Sequence, residues 1–445
     1  MSDMLNIGAS GVRAYQSALT TVSDNIANAG TTGYARRTTG LAEIAAPSGA
    51  IQRQAVAGNG VMVTGTVRQA DQLRSADVRS AATDLAKSET SITWLTGIES
   101  ALTGNQLGDR LTEFFNSATT VASDPTASAP RTAMLGSASA VAGAFTATGK
   151  ALDAINVDLD TTAETAVSQL NGLAATLAKV NEGISRTAPG TSSAAQLLDQ
   201  RDQILDQMSA ISDTSVSFDA AGRASVKLGN ATGPVLVAGN DAGAVTYVRS
   251  DSGNVSFAVH RTGTVTGYVP QGGALAGVVD GAQRIADAKT QLAAVAKSFT
   301  DGVNAVQAQG RDLDANAGTA MFSATGTNVT LTLSDPRGIA AAAVGGGPRD
   351  NSNLTALATL RTSGAFESNT TQITANNAAT LASRKQVAEA QTSIHDGAVS
   401  ARDAVSGVNL DTEAVDLMRF QQAYQASSRV IQVARETLQS ILDIR

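Results

Sequence analysis

A mainly α-helical chain carrying one small inserted β-domain, with long terminal helices pairing as an antiparallel coiled coil, is the fold class the sequence predicts. Three observations lead there. Apolar residues recur at seven-residue spacing near both ends of the 445-residue chain. The middle is written in Ala, Ser, Thr and Leu at helical period with only 3 % aromatics, which favours long helices packed through small side chains over a core with a deep apolar pocket. Between Thr214 and Pro270 the apolar period drops from about 3.6 residues to about 2 and then returns.

From Met4 to Ala29 the seven-residue spacing runs through Leu5, Val12, Leu19 and Ile26, with Gly8, Tyr15, Val22 and Ala29 three positions further on. This helix is expected to end near Asn28-Ala29-Gly30, where Gly30 can take the left-handed conformation. A loop follows, irregular from Leu41 to Ala57 with Pro47 and Gly49. A short strand is then expected over Gly60 to Val67, with Val61, Val63 and Val67 in phase. Helical period returns from Asp71 through Leu73, Val78, Leu85, Ile92, Leu95, Ile98 and Leu102, with Trp94, the only tryptophan, as its core anchor. A shorter helix spans Leu107 to Ala122 and is closed by Asp124-Pro125. A very long one runs from Pro130 to Ile184, and Ser192 to Ile211 follows the breaker Pro189-Gly190.

The inserted β-domain alternates through Val216 and Phe218, Val226 and Leu228, Val235 and Val237, then Val255, Phe257, Val259 and Val265. Asp219 to Gly222 and Asp251 to Asn254 supply turns. Helix resumes from Leu275 to Val306, a strand-like run marks Val329, Leu331 and Leu333, and helices are expected over Leu354 to Leu360 and Asn376 to Val405, the latter weak at Gly397. Gly345 to Pro348 reads as a loop. The expected division is therefore 1–70 with 401–445 as the terminal domain, 71–213 with 271–400 as a helical rod, and 214–270 as an outward-facing insert.

The last helix has the second seam: Leu410, Leu417, Tyr424, Ile431 and Leu438 at seven-residue spacing, with Phe420, Ala434 and Ile441 three positions after three of them. Asn409 is its candidate cap, and Asp411 and Glu413 oppose the positive end of the helix dipole. About 34 residues at about 1.5 Å rise make a rod of roughly 50 Å. Two seams at opposite ends predict that the ends pair.

A net charge of −7 gives no basic footprint for nucleic acid or an anionic membrane surface. No stretch is apolar enough to span a bilayer, and Met1 to Asn6 has neither the basic nor the apolar region of a signal peptide. With no cysteine, thiolate chemistry and disulfides are excluded. The two histidines, His260 and His395, form no local metal pair. The nearest approach to a phosphate loop, Gly143 to Lys150, has five residues between its glycines and lies inside helical sequence. Acidic pairs such as Asp158 with Asp160, or Asp202 with Asp206, read as solvated helix faces rather than catalytic carboxylates. No catalytic, cofactor-binding or metal site is expected, and the chain is not expected to be an enzyme.

Ser406-Gly407-Val408-Asn409-Leu410-Asp411, Glu413-Ala414, Gln421-Gln422-Ala423-Tyr424-Gln425-Ala426-Ser427 and Arg429-Val430-Ile431 together resemble the C-terminal signature of the flagellar hook-associated protein 1 family. At the other end Ser23-Asp24-Asn25-Ile26-Ala27-Asn28-Ala29-Gly30-Thr31-Thr32-Gly33-Tyr34 resembles the N-terminal signature of bacterial flagellar axial proteins, departing at Thr32 where that pattern usually has proline. Gln196 to Leu205 resembles a further segment of the family, whereas the insert resembles none of it. The resemblance implies a structural adaptor at the hook and filament junction, exported by the flagellar type III apparatus to the outside of the cell. It implies a ring of about eleven subunits, with hook protein below, the second junction protein above, and an export chaperone on the C-terminal region. Another axial protein (second junction protein, flagellin or hook protein) and a secreted hydrolase with flagellar ends are the alternatives. The first should lack the combination at Ser406 to Asp411 and Gln421 to Ala426, and the second needs an aromatic sugar cleft that the composition does not supply.

Overall fold

Helix α1 (Ser2–Ala27) and helix α9 (Leu410–Leu442) lie side by side in opposite directions in this computed structural model, which describes residues 2–44, 60–250 and 253–443. Gly8 faces Ile431 and Asn25 faces Glu413, which fixes the antiparallel sense. Asn409 caps α9 by accepting from the backbone of Asp411 (2.9 Å) and Thr412 (3.1 Å), satisfying two of the helix's orphan donors. After α1 the left-handed glycine is Gly33 (φ 77°), not Gly30. Five residues, Asn28 to Thr32, therefore separate the helix end from the reversal that the sequence reading placed beside it.

Strands β1 (Arg37–Glu43) and β2 (Val61–Arg68) form an antiparallel ribbon against α1. The sequence reading has a loop where β1 lies, because Arg-Thr-Thr-Gly-Leu-Ala-Glu shows no apolar alternation. The expected phase of Val61, Val63 and Val67 also breaks. Gly40 pairs with Gly65 but Leu41 pairs with Val63, so Thr64 is extra and Val67 falls on the opposite face. Pro47 and Gly49, like the Asp251 part of the expected Asp251 to Asn254 turn, lie outside the described residues.

The rod is built from α2 (Gln72–Gly104), α3 (Leu107–Ser123), α4 (Ser128–Arg186), α5 (Ser192–Ile211), α6 (Gly273–Gln309), α7 (Ser352–Gly364) and α8 (Phe366–Ser406). Helix α8 begins well before Asn376 and runs unbroken through Gly397, since a single glycine weakens but does not end a helix that packs along α2. Six of the chain's nine phenylalanines, Phe114, Phe115, Phe145, Phe299, Phe322 and Phe366, close one end of the rod around Phe299, whose ring lies 5.2 Å from Phe322 and 5.4 Å from Phe114. Trp94 is buried between α2 and α6, and Gly281 makes room for it. A Cβ there would stand 2.3 Å from the indole Cδ1.

The insert is two antiparallel meanders: β3 (Thr214–Phe218), β4 (Ala224–Leu228), β5 (Val235–Ala238) and β6 (Asp241–Ala242), then β7 (Ala244–Arg249), β8 (Val255–Arg261) and β9 (Thr264–Tyr268). Its buried residues, among them Val226, Val237, Val245 and Phe257, join the same hydrophobic core as Leu159, Leu170 and Leu177 of α4. The two-stranded pairs β10 (Gly310–Arg311) with β13 (Ala342–Ala343), and β11 (Phe322–Thr325) with β12 (Asn328–Leu331), cover the phenylalanine end.

Candidate functional site

The terminal pair meets the rod where β1 begins, and two adjacent arginines do the joining. Successive residues of an extended chain point to opposite sides. Arg36 therefore turns to α9, with Nε 2.6 Å from Glu413 and Nη2 3.1 Å from Asp416, while Arg37 turns to α5, with Nη2 2.6 Å from Asp199. Arg68, paired with Arg37 across the ribbon, reaches Asp199 at 2.5 Å and Asp202 at 2.8 Å. Asp199, Asp202 and Asp206 stand three and four residues apart, so one face of α5 carries all three. Asp206 lies between Arg402 of α8 (3.1 Å) and Arg79 of α2 (3.5 Å). Burial raises its pKa above the ordinary carboxylate value, and the two arginines offset only part of that effect.

Asn25 is the hub. It is fully buried, and its amide donates to the Arg37 carbonyl (2.8 Å) and to Glu413 Oε2 (2.9 Å), while its oxygen accepts from Arg37 N (3.0 Å) and from the Tyr34 hydroxyl (2.9 Å). Glu413, 0 % exposed, is held from both sides by Asn25 and Arg36. A buried carboxylate persists only with such partners. Tyr34 lies under the Arg37 guanidinium (4.7 Å to the ring centre), and burial raises its hydroxyl pKa. The other signature residues gather round this hub. Asn28 closes the end of α1 by donating to the Asp24 carbonyl (2.8 Å). Gly33 touches Gln203 of α5, whose amide donates to the Thr32 carbonyl (2.7 Å). The Ser406 carbonyl accepts from Arg36 N (2.8 Å). Gly407 has no room for a Cβ, which would stand 2.4 Å from the Asp403 carbonyl. Gln422 and Gln425 are exposed on α9, away from the hub.

Along α1 the buried residues leading up to Asn25 are mostly small: Gly8, Gly11, Ala14, Ala18, Thr21 and Val22. Leu5, Val12 and Leu19 flank it half-buried, and Ile26 is 36 % exposed. On α9, Leu417, Phe420, Tyr424 and Ile431 are half-buried and Ala434 is buried, with the Phe420 ring 6.4 Å from that of Tyr15. Leu410 and Leu438 point to solvent, as do Val415, Met418, Val430, Val433 and Ile441. The pair thus buries one face and leaves a second apolar stripe on α9 uncovered.

Sequence reasoning missed Arg36, Arg37, Arg68 and Asp199, and read Asp202 and Asp206 as solvated. The available signal was the spacing of Asp199, Asp202 and Asp206, the first two of which lie inside the Gln196 to Leu205 stretch singled out for resemblance. Each arginine of the joint faces a carboxylate of the chain, so the arrangement couples elements rather than presenting charge to a ligand. Among the described residues no group of three or more His, Asp or Glu side chains could hold a metal. His260 contacts Thr246 (3.0 Å) and His395 lies 3.6 Å from Asp396.

Three family models match the chain. The model described as the flagellar hook-associated protein FlgK helical domain covers residues 92–322, a span that includes the insert. A flagella basal body rod protein model covers 5–34, and the flagellar basal body rod FlgEFG protein C-terminal model covers 401–444, so these two meet at Asn25 and Glu413. Flagellar hook-associated protein 1 of Salmonella typhimurium is 32 % identical over 234 residues, 52 % of this chain and 42 % of that protein. The protein of that name from Escherichia coli K12 is 30 % identical over 234 residues, and that of Bacillus subtilis 26 % over 216. The match spans less than half the length of these relatives. The structure of the flagellar hook junction protein FlgK from Burkholderia pseudomallei is alike in fold, with a TM-score of 0.51 and 24 % identity over 56 % of this chain and 46 % of that one.

Proposed function

The chain belongs to the FlgK family of flagellar hook-associated proteins, and on that premise we propose that it is a structural adaptor of the bacterial flagellum, joining hook to filament and polymerising through its terminal helices. The observation that carries this reading is the α9 stripe. A helix already paired on one face still exposes Val415, Met418, Val430, Val433 and Ile441, which is the composition of a surface completed by other subunits. Leu410 and Leu438 continue the paired face of α9 beyond its contact with α1 and are exposed there. Residues 1–70 with 401–445 would form the inner tube, 71–213 with 271–400 the rod, and 214–270 the outer surface. The family resemblance implies a ring of about eleven subunits, closed by repetition of one contact around an axis, seated on hook protein and topped by the second junction protein. Before assembly an export chaperone covers the C-terminal region, and the flagellar type III apparatus carries the chain out of the cell. No enzymatic role or cofactor is proposed.

The test is a charge in the seam. Leu417→Asp or Ile431→Asp puts a carboxylate where the assembled tube cannot hydrate it, at a cost of several kcal/mol, while the core of the rod lies elsewhere. Cells carrying either variant should export the chain yet shed filament monomers into the medium. Filaments of normal length and number would contradict the reading.

A further inference from the structure

We propose that residues 214–270 are a splint for α4, keeping the second half of that helix straight so that the rod transmits bending load. The adaptor reading is needed only for the source of the load. Helix α4 has 59 residues, close to 90 Å at about 1.5 Å per residue. Five glycines, Gly136, Gly143, Gly149, Gly172 and Gly183, lie within it and weaken its intrinsic preference for the helical state. Long helices bend where their neighbours do not hold them.

The insert holds this one at three points about three turns apart. Asp160 accepts from the Tyr247 hydroxyl and from Arg249 Nε (2.7 Å). Asn171 pairs with Val245 as a neighbouring strand would, donating to its carbonyl (2.9 Å) and accepting from its N–H (2.7 Å). Asn181 does the same with Ala224 (2.8 and 2.9 Å) and also donates to the Gly239 carbonyl (2.7 Å). Each amide satisfies both the donor and the acceptor of one strand residue, so a strand cannot slide along the helix without leaving polar groups unmet. The base of the insert is tied as well. Tyr268, at the end of β9, is hydrogen-bonded to Ser212 (2.6 Å) and to Asp213, where the chain leaves α5. Attachment at the base alone would suffice for an appendage. Attachment along some 20 residues of α4, over a shared hydrophobic core, makes helix and insert one body. The first half of α4 carries a separate device of the same kind, Thr146 donating to the Val329 carbonyl (2.9 Å) and accepting from its N–H (3.1 Å), and so supplies an internal control.

Amide hydrogen exchange on the purified full chain tests the proposal without any assembly. In the double variant Asn171→Ala, Asn181→Ala, exchange over residues 160–181 should rise about tenfold or more, while residues 131–150 keep their protection. Wild-type protection over 160–181 would overturn the splint, because α4 would then be straight without it. If the double variant does not fold, Tyr247→Phe removes one clamp near the surface. It should raise exchange around Asp160 alone, and no rise there would overturn the proposal equally. Cells carrying a folded variant with a loosened α4 should keep filaments in dilute medium and lose them in viscous medium. Filaments retained in both media would refute the load-bearing role. No filaments in either medium would count against the adaptor reading, which the exchange measurement leaves untouched.

Discussion

Asn25 satisfies two backbone groups, a hydroxyl and a carboxylate with one side chain, and does so fully buried. Asn25→Asp would remove the amide donor and bring a second carboxylate against Glu413, at a cost of several kcal/mol. Thermal melting of the purified variant should therefore show the terminal pair released while the rod still melts near the wild-type temperature. A single unchanged transition would show that the hub is not what ties the ends down. Asp206 makes a different test, one of sign. Burial raises its folded pKa above the ordinary value of 3.8, so the fold binds its proton more tightly than the unfolded chain does. Its contribution to stability is then fully present below the unfolded pKa and is lost as pH rises through the folded one. The stability of the wild type relative to Asp206→Asn should therefore be highest in acid and fall toward neutrality, as measured by denaturant titrations across that range. A relative stability that grew with pH would mean that Arg79 and Arg402 outweigh burial. The signature residues Asn25, Tyr34 and Gly407 stood out in the sequence by resemblance alone, without any indication of what they touch. Arg36 and Arg37 did not, because a charged doublet reads as solvated until the carboxylates that face it are known.

Between elements, the close approach of α1 and α9 depends on glycine. A Cβ on Gly8 would stand 2.7 Å from Ile431 Cγ1 and 3.3 Å from the Ser427 carbonyl. The carbonyl belongs to helix backbone and cannot step aside. Gly8→Val should force the helices apart and destabilise their pairing by about 1–3 kcal/mol, with loss of helical circular dichroism from the ends before the rod melts. If the pair tolerated valine with unchanged melting, the contact would be looser than described. This is also where sequence pattern reaches its limit. Seven-residue spacing found both helices and their antiparallel pairing, but of the small residues that let the backbones approach, Gly8, Gly11, Ala14 and Ala18, it picked out Gly8 alone. The bulge at Thr64 likewise leaves the parity of β2 unreadable in advance, since one inserted residue reverses every side chain beyond it.

For the whole molecule, the helical rod and the β-insert were legible because the apolar period changes near Asp213 and again near Gln271, and α5 begins just after the breaker Pro189-Gly190. The relation of insert to rod was not legible. Asn171, Asn181 and Asp160 look like ordinary polar positions on a helix, and only the strands laid against them give them partners. The joint was hidden for the same reason, since Asp199 and Arg37 lie far apart in sequence and their pairing exists only in the fold. In the proposed adaptor the paired ends form an assembling tube, and the rod stands on it through the joint at Asn25, Arg36 and Glu413. Electron cryo-microscopy of the hook and filament junction, in flagella from cells that make this chain, tests it most directly. The expected density is a ring between hook and filament in which α1 and α9 line the channel and the exposed α9 stripe is covered by neighbouring copies. Density placing α9 on the outer surface, or a junction that lacks this chain, would contradict it.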